Sequence, residues 1–402
     1  MTLQLRGISY LPAATTDAVQ RDLRAIAEDL HCTTVMLIGT DTAEQIRAAE
    51  YALEIGLDVY IRPYVESRPR AELLAHLEAT AVAAESLRKR YPGRVTLLLG
   101  SEFSLTTRGM LPGRWLFLRV QVLVRWRRFF DRRITRKLNV LIRAALAVAR
   151  REFHGPITYA AGYWEPVDWS GFDLVGVNLY RFGNDPAGYA ERLDKLVESG
   201  KPVVITEFGC GSFAGAEQRG PGSFLIVNWF ASPPRIKDGY VRDEATQAAY
   251  LEDLITLYAD RGVHGCFVFT FSMADFPHSP VPRVDLDMAG FGIVKIPADD
   301  PAHWQPKAAF AKVARLYSLG QRNATGLDRG GDDEGAGGLA MGEELVENLF
   351  QGADRGDLDA HQEAVVAGDP VALDDLGGPL GQLDDAGDLP RSGTKPHPGG
   401  DG

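Results

Sequence analysis

Two kinds of apolar pattern alternate along the first 317 residues of the chain. Short runs rich in Val, Ile and Leu, bounded by Gly and Pro, are typical of strands that are buried on both faces. Longer segments with an apolar residue every three or four positions are typical of amphipathic helices. The predicted strands lie near residues 7–10, 32–39, 57–64, 94–102, 157–164, 172–180, 201–211 and 265–271.

Eight strands that alternate with helices predict a parallel sheet closed into a (β/α)8 TIM barrel. An open, doubly wound sheet is the alternative, and it would need a Gly-rich phosphate-binding loop after its first strand. Residues 10–15 (Tyr-Leu-Pro-Ala-Ala-Thr) contain no glycine. The barrel is therefore the predicted fold, and we expect it to occupy residues 1–318.

Two of the predicted strands end on a glutamate: Glu102 ends the fourth strand and Glu207 the seventh. In a TIM barrel the carboxyl ends of the strands meet at the face that carries active sites, so these two carboxylates can face each other. Two carboxylates about 5 Å apart suit retaining glycoside hydrolysis, with one as acid/base and the other as nucleophile. The structural alternative is that each glutamate only forms an ion pair with an arginine such as Arg62 or Arg181.

Charge is distributed unevenly along the chain. Residues 319–402 contain 18 acidic and 5 basic side chains, a net charge of −13, whereas the whole chain has a formal charge of −11 and the remainder therefore +2. A nearly neutral body gives no reason to expect a nucleic-acid partner. The Gly- and Asp-rich composition of residues 319–402 predicts a disordered acidic tail, because such a segment buries too little apolar surface to fold.

The cysteine content and the N-terminus bear on the compartment. Cys32, Cys210 and Cys266 are odd in number and far apart, which indicates a reducing environment rather than a disulfide framework or a zinc site. Residues 1–10 lack the pattern of a signal peptide, and no apolar stretch reaches the roughly 18 residues of a membrane span. We therefore expect a cytoplasmic protein with no membrane span, no metal and no cofactor.

Residues 106–138 form an unusual insertion after the fourth strand, in which aromatic side chains and arginines are mixed. A functional interpretation is a basic, aromatic surface that makes weak contact with a membrane face, a nucleic acid or an extended anionic ligand. The structural interpretation, which we favour, is a pair of helices that packs its aromatics on the barrel and leaves the arginines solvated.

The two glutamate motifs resemble those of the clan A glycoside hydrolases, whose acid/base ends strand four and whose nucleophile ends strand seven. Thr206-Glu207-Phe208-Gly209 is similar to the nucleophile motif of the clan, and Gly100-Ser101-Glu102-Phe103 to its acid/base motif. The resemblance implies a sugar-binding role for Tyr180 near the nucleophile and for Phe271 as an aromatic platform after strand eight. The clan usually has Asn before the acid, where this chain has Ser101.

Other side chains near strand ends are candidates for binding a sugar. Tyr10, Arg62 and Trp164 offer flat or bidentate contacts to a carbohydrate, and Asn178 shares the inward orientation of Tyr180 because it lies two positions before it. The loop after strand eight carries Asp275, His278, Asp285 and Asp287. We interpret that loop as a solvated surface rather than a metal site.

A narrower resemblance concerns residues 205–220, which are similar to actinobacterial proteins labelled "abortive infection protein". That label describes phage defence and implies no chemistry. The predicted function is a retaining glycosidase with Glu102 as acid/base and Glu207 as nucleophile, acting on a carbohydrate. The alternative is a non-catalytic carbohydrate-sensing or phage-defence barrel, and a metal-dependent hydrolase is a weaker rival because few histidines lie at strand ends.

Overall fold

Eight parallel strands close into a barrel in this computed structural model, which describes residues 3–113, 116–183 and 185–326. The barrel strands are β1 Leu5–Tyr10, β2 Thr34–Gly39, β3 Asp58–Pro63, β4 Val95–Ser101, β5 Ile157–Gly162, β6 Val175–Asn178, β7 Val203–Phe208 and β8 Gly265–Val268. The strands follow each other around the barrel in chain order, and β1 closes it by pairing with both β2 and β8. The predicted (β/α)8 fold is confirmed.

Helices surround the barrel and cover the outer faces of its strands. They are α1 Thr16–Arg24, α2 Thr42–Glu54, α3 Arg70–Arg90, α4 Leu116–Glu152, α5 Pro186–Val197, α6 Glu244–Asp260 and α7 Ala308–Gly326. Shorter elements are the helical turns Ala25–Asp29, Phe103–Thr106, Ala216–Arg219, Gly220–Ile226, Pro282–Val284 and Leu286–Met288, and the strand pairs Val227–Asn228 with Arg235–Ile236 and Val294–Lys295 with Gln305–Pro306. The connection from β5 to β6 has no helix in residues 163–174.

The barrel interior is filled with side chains and is not a pore. Leu5, Met36, Tyr60, Leu98 and Phe267 are among the buried residues that meet there. Tyr64, Leu11 and Phe269 are only partly buried and pack on this interior cluster. A second, larger apolar core lies between the strands and the surrounding helices. Two such layers explain why the strands are apolar on both faces.

The pairing register shifts near both predicted catalytic residues. On β4 the shift lies between Leu98 and Ser101, and on β6 it lies between Val177 and Asn178, which pairs with Glu207. Shifts of this kind re-aim side chains, and they are frequent beside active sites. The sites at the ends of β4 and β7 are therefore built on locally irregular strands.

The insertion predicted at residues 106–138 differs from the expected helical pair. After the turn Phe103–Thr106 and a loop, a single helix, α4, runs for 37 residues to Glu152. Leu123 and Ile134, in the first half of this helix, form a small apolar cluster with Leu111 from the loop that follows β4. The side chains of residues 114–117, 121 and 124–130 lie outside the described part of the chain, so the proposed aromatic surface stays a prediction.

The predicted tail, residues 319–402, can be compared with the structure only in its first residues. Helix α7 extends to Gly326 and so enters the segment that the composition assigns to the tail. The remaining tail residues, 327–402, lie outside the described part of the chain.

Among the residues that are described, no helix is both long and apolar enough to cross a membrane.

Candidate active site

Glu207 lies at the end of β7 with both carboxylate oxygens engaged by donors. The Arg62 guanidinium, from the end of β3, pairs with Oε1, and the Tyr180 hydroxyl donates to Oε2 at 3.0 Å. Glu207 is 7% exposed and Arg62 is 5% exposed, so the pair is almost fully removed from water. A carboxylate that is paired with a buried guanidinium and bonded to a phenol is fixed in orientation.

Glu102 follows β4 in a different backbone setting. Its φ of +45° and ψ of +49° place it in the left-handed region, which costs a residue with a side chain about 1 kcal/mol. The conformation turns the chain sharply at the end of the strand and starts the helical turn Phe103–Thr106. Such strain persists only where neighbouring contacts fix it, and it is frequent at functional sites.

The amide of Asn178 connects the two strand ends. Its Nδ2 donates to Glu102 Oε1 at 3.0 Å and to Ser101 Oγ at 3.1 Å. Its Oδ1 accepts a hydrogen bond from Thr206 Oγ1 at 2.7 Å. This contact fixes the orientation of the amide, with its Nδ2 end toward Glu102. Because Thr206 directly precedes Glu207, Asn178 joins the Glu102 side of the site to the Glu207 side.

The two glutamates differ in charge state. Burial, and then the nearby charge of Glu207, raise the pKa of Glu102 to about 8. Glu102 keeps partial contact with solvent, but the surrounding protein desolvates its carboxyl group strongly enough to hold the proton at neutral pH. A carboxyl group that holds its proton and a carboxyl group that is paired with a guanidinium therefore share the site, an arrangement that suits a proton donor and a nucleophile.

A third buried carboxylate lies behind Glu102. Glu165, in the loop after β5, is 7% exposed and accepts hydrogen bonds from Ser104 N at 2.8 Å, Gly162 N at 3.1 Å and the Tyr159 hydroxyl at 2.8 Å. Burial raises its pKa. The Trp164 indole lies beside it and donates to Ser104 Oγ at 3.1 Å.

Comparison with known proteins bears on the fold of this site. The sequence matches no protein-family model and no curated protein. A GH113 β-1,4-mannanase structure is similar at 16% identity and a TM-score of 0.52, over 79% of this chain and 99% of the other. A calcium-binding mutant of Bacteroides uniformis β-glucuronidase 2 is similar at 17% identity and a TM-score of 0.50, over 77% of this chain and 34% of the other. The barrel fold of this chain is similar to the folds of these two glycoside hydrolases. Identities this low establish the fold alone.

Three of the predicted binding residues lie together at one end of the barrel. Arg62 and Tyr180 contact Glu207, and Asn178 contacts Glu102. The parity argument that grouped Asn178 with Tyr180 agrees with these contacts, although β6 already ends at Asn178.

Tyr10 and Phe271 lie in a different part of the barrel. Both are fully buried and pack edge to face, with ring centroids 5.9 Å apart. The Tyr10 hydroxyl donates to Asp22 at 2.9 Å, and Phe271 also packs on Trp304. These contacts belong to the core between β1, α1 and the segment before α7, so nothing in them supports the sugar-binding role predicted for this pair.

The loop after β8 is only in part the solvated surface that its polar sequence predicts: Asp275 is exposed, whereas the other two acids are buried. Asp285 and Asp287 are 2% and 3% exposed, and Arg242 lies 2.9 Å from each of them. Lys307 pairs with Asp287 at 3.0 Å, and His278 Nδ1 lies 2.8 Å from Asp285. Although His278, Asp285 and Asp287 are close enough to hold a cation, the arginine and lysine already neutralise the acids. The cluster is therefore a network of buried ion pairs that connects the loop after β8 to the segments that carry Arg242 and Lys307.

Some residues of the site could not be predicted from the sequence. Tyr159 lies inside a strand pattern, and Thr206 looks like an ordinary β-branched strand residue. The sequence pattern extends the eighth strand to residue 271 and therefore indicates Phe271 as the aromatic platform. The strand ends at Val268, so the residue just after its end is Phe269. Phe269 is partly buried on top of the barrel interior and packs on Phe291, whose ring also contacts Tyr180. It is a better-placed candidate for an aromatic platform than Phe271.

Proposed function

We propose that this protein is a retaining glycoside hydrolase in which Glu207 is the nucleophile and Glu102 the acid/base. The observation that carries the proposal is the opposite state of the two carboxyl groups at the ends of β4 and β7. Glu207 is buried against the Arg62 guanidinium, whereas the pKa of Glu102 is raised to about 8. Double displacement needs this pairing of one ionised and one protonated carboxyl group.

In the first step a Glu207 oxygen attacks the anomeric carbon while the Glu102 proton passes to the leaving oxygen, so a glycosyl ester forms as the glycosidic bond breaks. In the second step the Glu102 carboxylate takes a proton from water. That water attacks the anomeric carbon and releases Glu207. Arg62 and Tyr180 orient Glu207 for attack, and they stabilise its charge again when it leaves.

Asn178 bears on the departure from the clan pattern at Ser101. The clan has an amide side chain directly before the acid, and here an amide reaches the acid from the neighbouring part of the barrel, on β6. The two hydrogen bonds that Asn178 donates occupy its two amide hydrogens. The hydroxyl hydrogen of Ser101 is then left to donate to a sugar hydroxyl.

The first test is turnover of a panel of nitrophenyl glycosides that includes a mannoside and a glucuronide, the sugars named for the two structural neighbours. Trapping with a dinitrophenyl fluoroglycoside should add one sugar to Glu207, detected by peptide mass spectrometry. Glu207→Gln should reduce kcat by about 10⁴-fold or more. Glu198→Gln, at an exposed position after α5, is the matched control and should retain full activity.

Three results would contradict the proposal. They are residual turnover in Glu207→Gln close to that of the control, a fluorosugar label on another residue, and a product with inverted anomeric configuration by NMR. Sugar binding by calorimetry without turnover of any glycoside would instead support the non-catalytic carbohydrate-sensing alternative, including its phage-defence form.

A further inference from the structure

The backbone that follows Glu102 is held from outside its own strand. The first two amides after Glu102 are those of Phe103 and Ser104, and in a helical turn such amides have no partner within the turn. Ser104 N donates to Glu165 Oε1 at 2.8 Å, and Phe103 N donates to the Tyr159 hydroxyl. That hydroxyl in turn donates to Glu165 Oε2. Glu165 therefore holds one amide directly and the other through Tyr159.

These contacts explain how Glu102 keeps a left-handed backbone. Its own φ of +45° is unfavourable for a residue with a Cβ. The two amides anchored to Glu165 and Tyr159 fix the turn immediately after Glu102, and Thr106 Oγ1 donates to the Glu102 carbonyl at 3.1 Å. Release of the anchor would allow the chain to relax, and the carboxyl group would move away from the nucleophile.

Glu165 also faces Glu102 as a charge. The ionisable groups around Glu102 are Glu207 on β7, Arg62 on β3, Glu165 after β5, and the phenols of Tyr159 on β5 and Tyr180 after β6. Burial raises the pKa of Glu165, and the hydrogen bonds from Ser104, Gly162 and Tyr159 oppose that rise because they stabilise its ionised form. Its negative charge adds to that of Glu207 in opposing ionisation of Glu102.

We propose that Glu165, acting with Tyr159, is a positioning residue that holds the proposed acid/base Glu102 in place and keeps it protonated. The inference rests on the function proposed above. It assigns Glu165 no contact with substrate. Its effect is confined to the acid side of the site, because its contacts are to the turn after Glu102 and to Gly162 at the end of β5.

The test compares two leaving groups in Glu165→Gln and Tyr159→Phe. A dinitrophenyl leaving group needs no proton, whereas a methylphenyl leaving group does. In both variants we expect kcat/KM for the methylphenyl glycoside to fall by about 10- to 100-fold, while kcat/KM for the dinitrophenyl glycoside and labelling of Glu207 by the fluorosugar change little. Glu165→Gln also removes a negative charge, so the basic limb of its pH profile should move to lower pH.

Glu85→Gln is the matched control. Glu85 is also 7% exposed and also accepts a backbone amide hydrogen bond, from His154 at 3.1 Å, but it lies on α3 away from the site. Its replacement should lower the melting temperature and leave the leaving-group ratio and the pH profile unchanged. Tyr159→Phe keeps the ring that packs on Phe103 with centroids 4.9 Å apart, so it serves if Glu165→Gln fails to fold.

Equal losses for both leaving groups in Tyr159→Phe, or a basic limb that does not move in a folded Glu165→Gln, would overturn the inference. Carbon NMR titration of labelled glutamate, assigned with Glu102→Gln, reports the Glu102 pKa without any turnover. If no glycoside is hydrolysed, the proposed function fails. A Glu102 pKa that does not fall in Glu165→Gln contradicts the positioning role independently.

Discussion

The two glutamates occupy equivalent places in the barrel, at the ends of β4 and β7, but their surroundings are opposite. Glu207 lies within β7 and is paired with a cation, whereas Glu102 follows β4 with a left-handed backbone and faces other carboxylates. The same side chain is therefore paired with a guanidinium at one strand end and holds its proton at the other. In the proposed mechanism the neighbours of each residue, and not its type, divide the two chemical tasks.

Replacement of the acid should give the largest effect among the changes that test this comparison. Glu102→Gln removes the proton donor, and we expect kcat/KM for a methylphenyl glycoside to fall by about 10²- to 10⁴-fold. Steady-state kinetics on dinitrophenyl and methylphenyl glycosides would measure the difference. A loss of the same size for both leaving groups would contradict the role of Glu102 as acid.

The same variant should be more stable than the wild type at high pH. The folded-state pKa of Glu102 is about 8, whereas the unfolded chain releases this proton near pH 4. The stability associated with this group is fully present below about pH 4 and is lost as the pH rises through about 8. Melting temperatures of Glu102→Gln should therefore exceed those of the wild type at pH 8 and equal them at pH 4.

The difference between the two sides also explains what the sequence could reveal. The order of strands and the two glutamates were predictable because apolar runs and their ends are local patterns. The Arg62–Glu207 pair joins residues 145 positions apart, and it was anticipated only as the structural alternative to catalysis. The left-handed backbone at Glu102 and its anchor through Tyr159 have no local sequence signal. Both depend on contacts that the turn after β4 makes with β5 and with the loop that follows β5.

The loop after β8 and the aromatic residues near strand ends show the same limit. A run of acidic residues predicts solvent exposure, but Asp285 and Asp287 are buried because Arg242 and Lys307 reach them from distant parts of the chain. Aromatic residues near strand ends were assigned to sugar binding, yet Tyr10 and Phe271 pack on each other. Composition indicates which groups need partners, and only the fold determines where those partners lie.

A smaller effect is expected on the nucleophile side. Tyr180→Phe removes the 3.0 Å hydrogen bond to Glu207 Oε2, and a hydrogen bond to a charged group is worth about 1.5–3 kcal/mol, so kcat should fall by about tenfold or more. The nucleophile attacks the anomeric carbon regardless of the leaving group, so the loss should be equal for dinitrophenyl and methylphenyl glycosides. Tyr189→Phe, a buried tyrosine bonded to the Leu179 carbonyl at 2.9 Å, is the control and should affect stability alone.

The smallest effect should come from the amide that links the two sides. The hydrogen bond from Asn178 favours the ionised form of Glu102 and so opposes the rise in its pKa. Asn178→Ala should therefore move the basic limb of the pH profile to higher pH, opposite to the shift expected for Glu165→Gln. Thr206→Val keeps the amide but removes its 2.7 Å anchor, and it should produce a shift of the same sign and smaller size. If Asn178→Ala and Glu165→Gln moved the basic limb in the same direction, the comparison would fail. Such a result would show that general loosening of the site, rather than these opposed contacts, sets the protonation of Glu102.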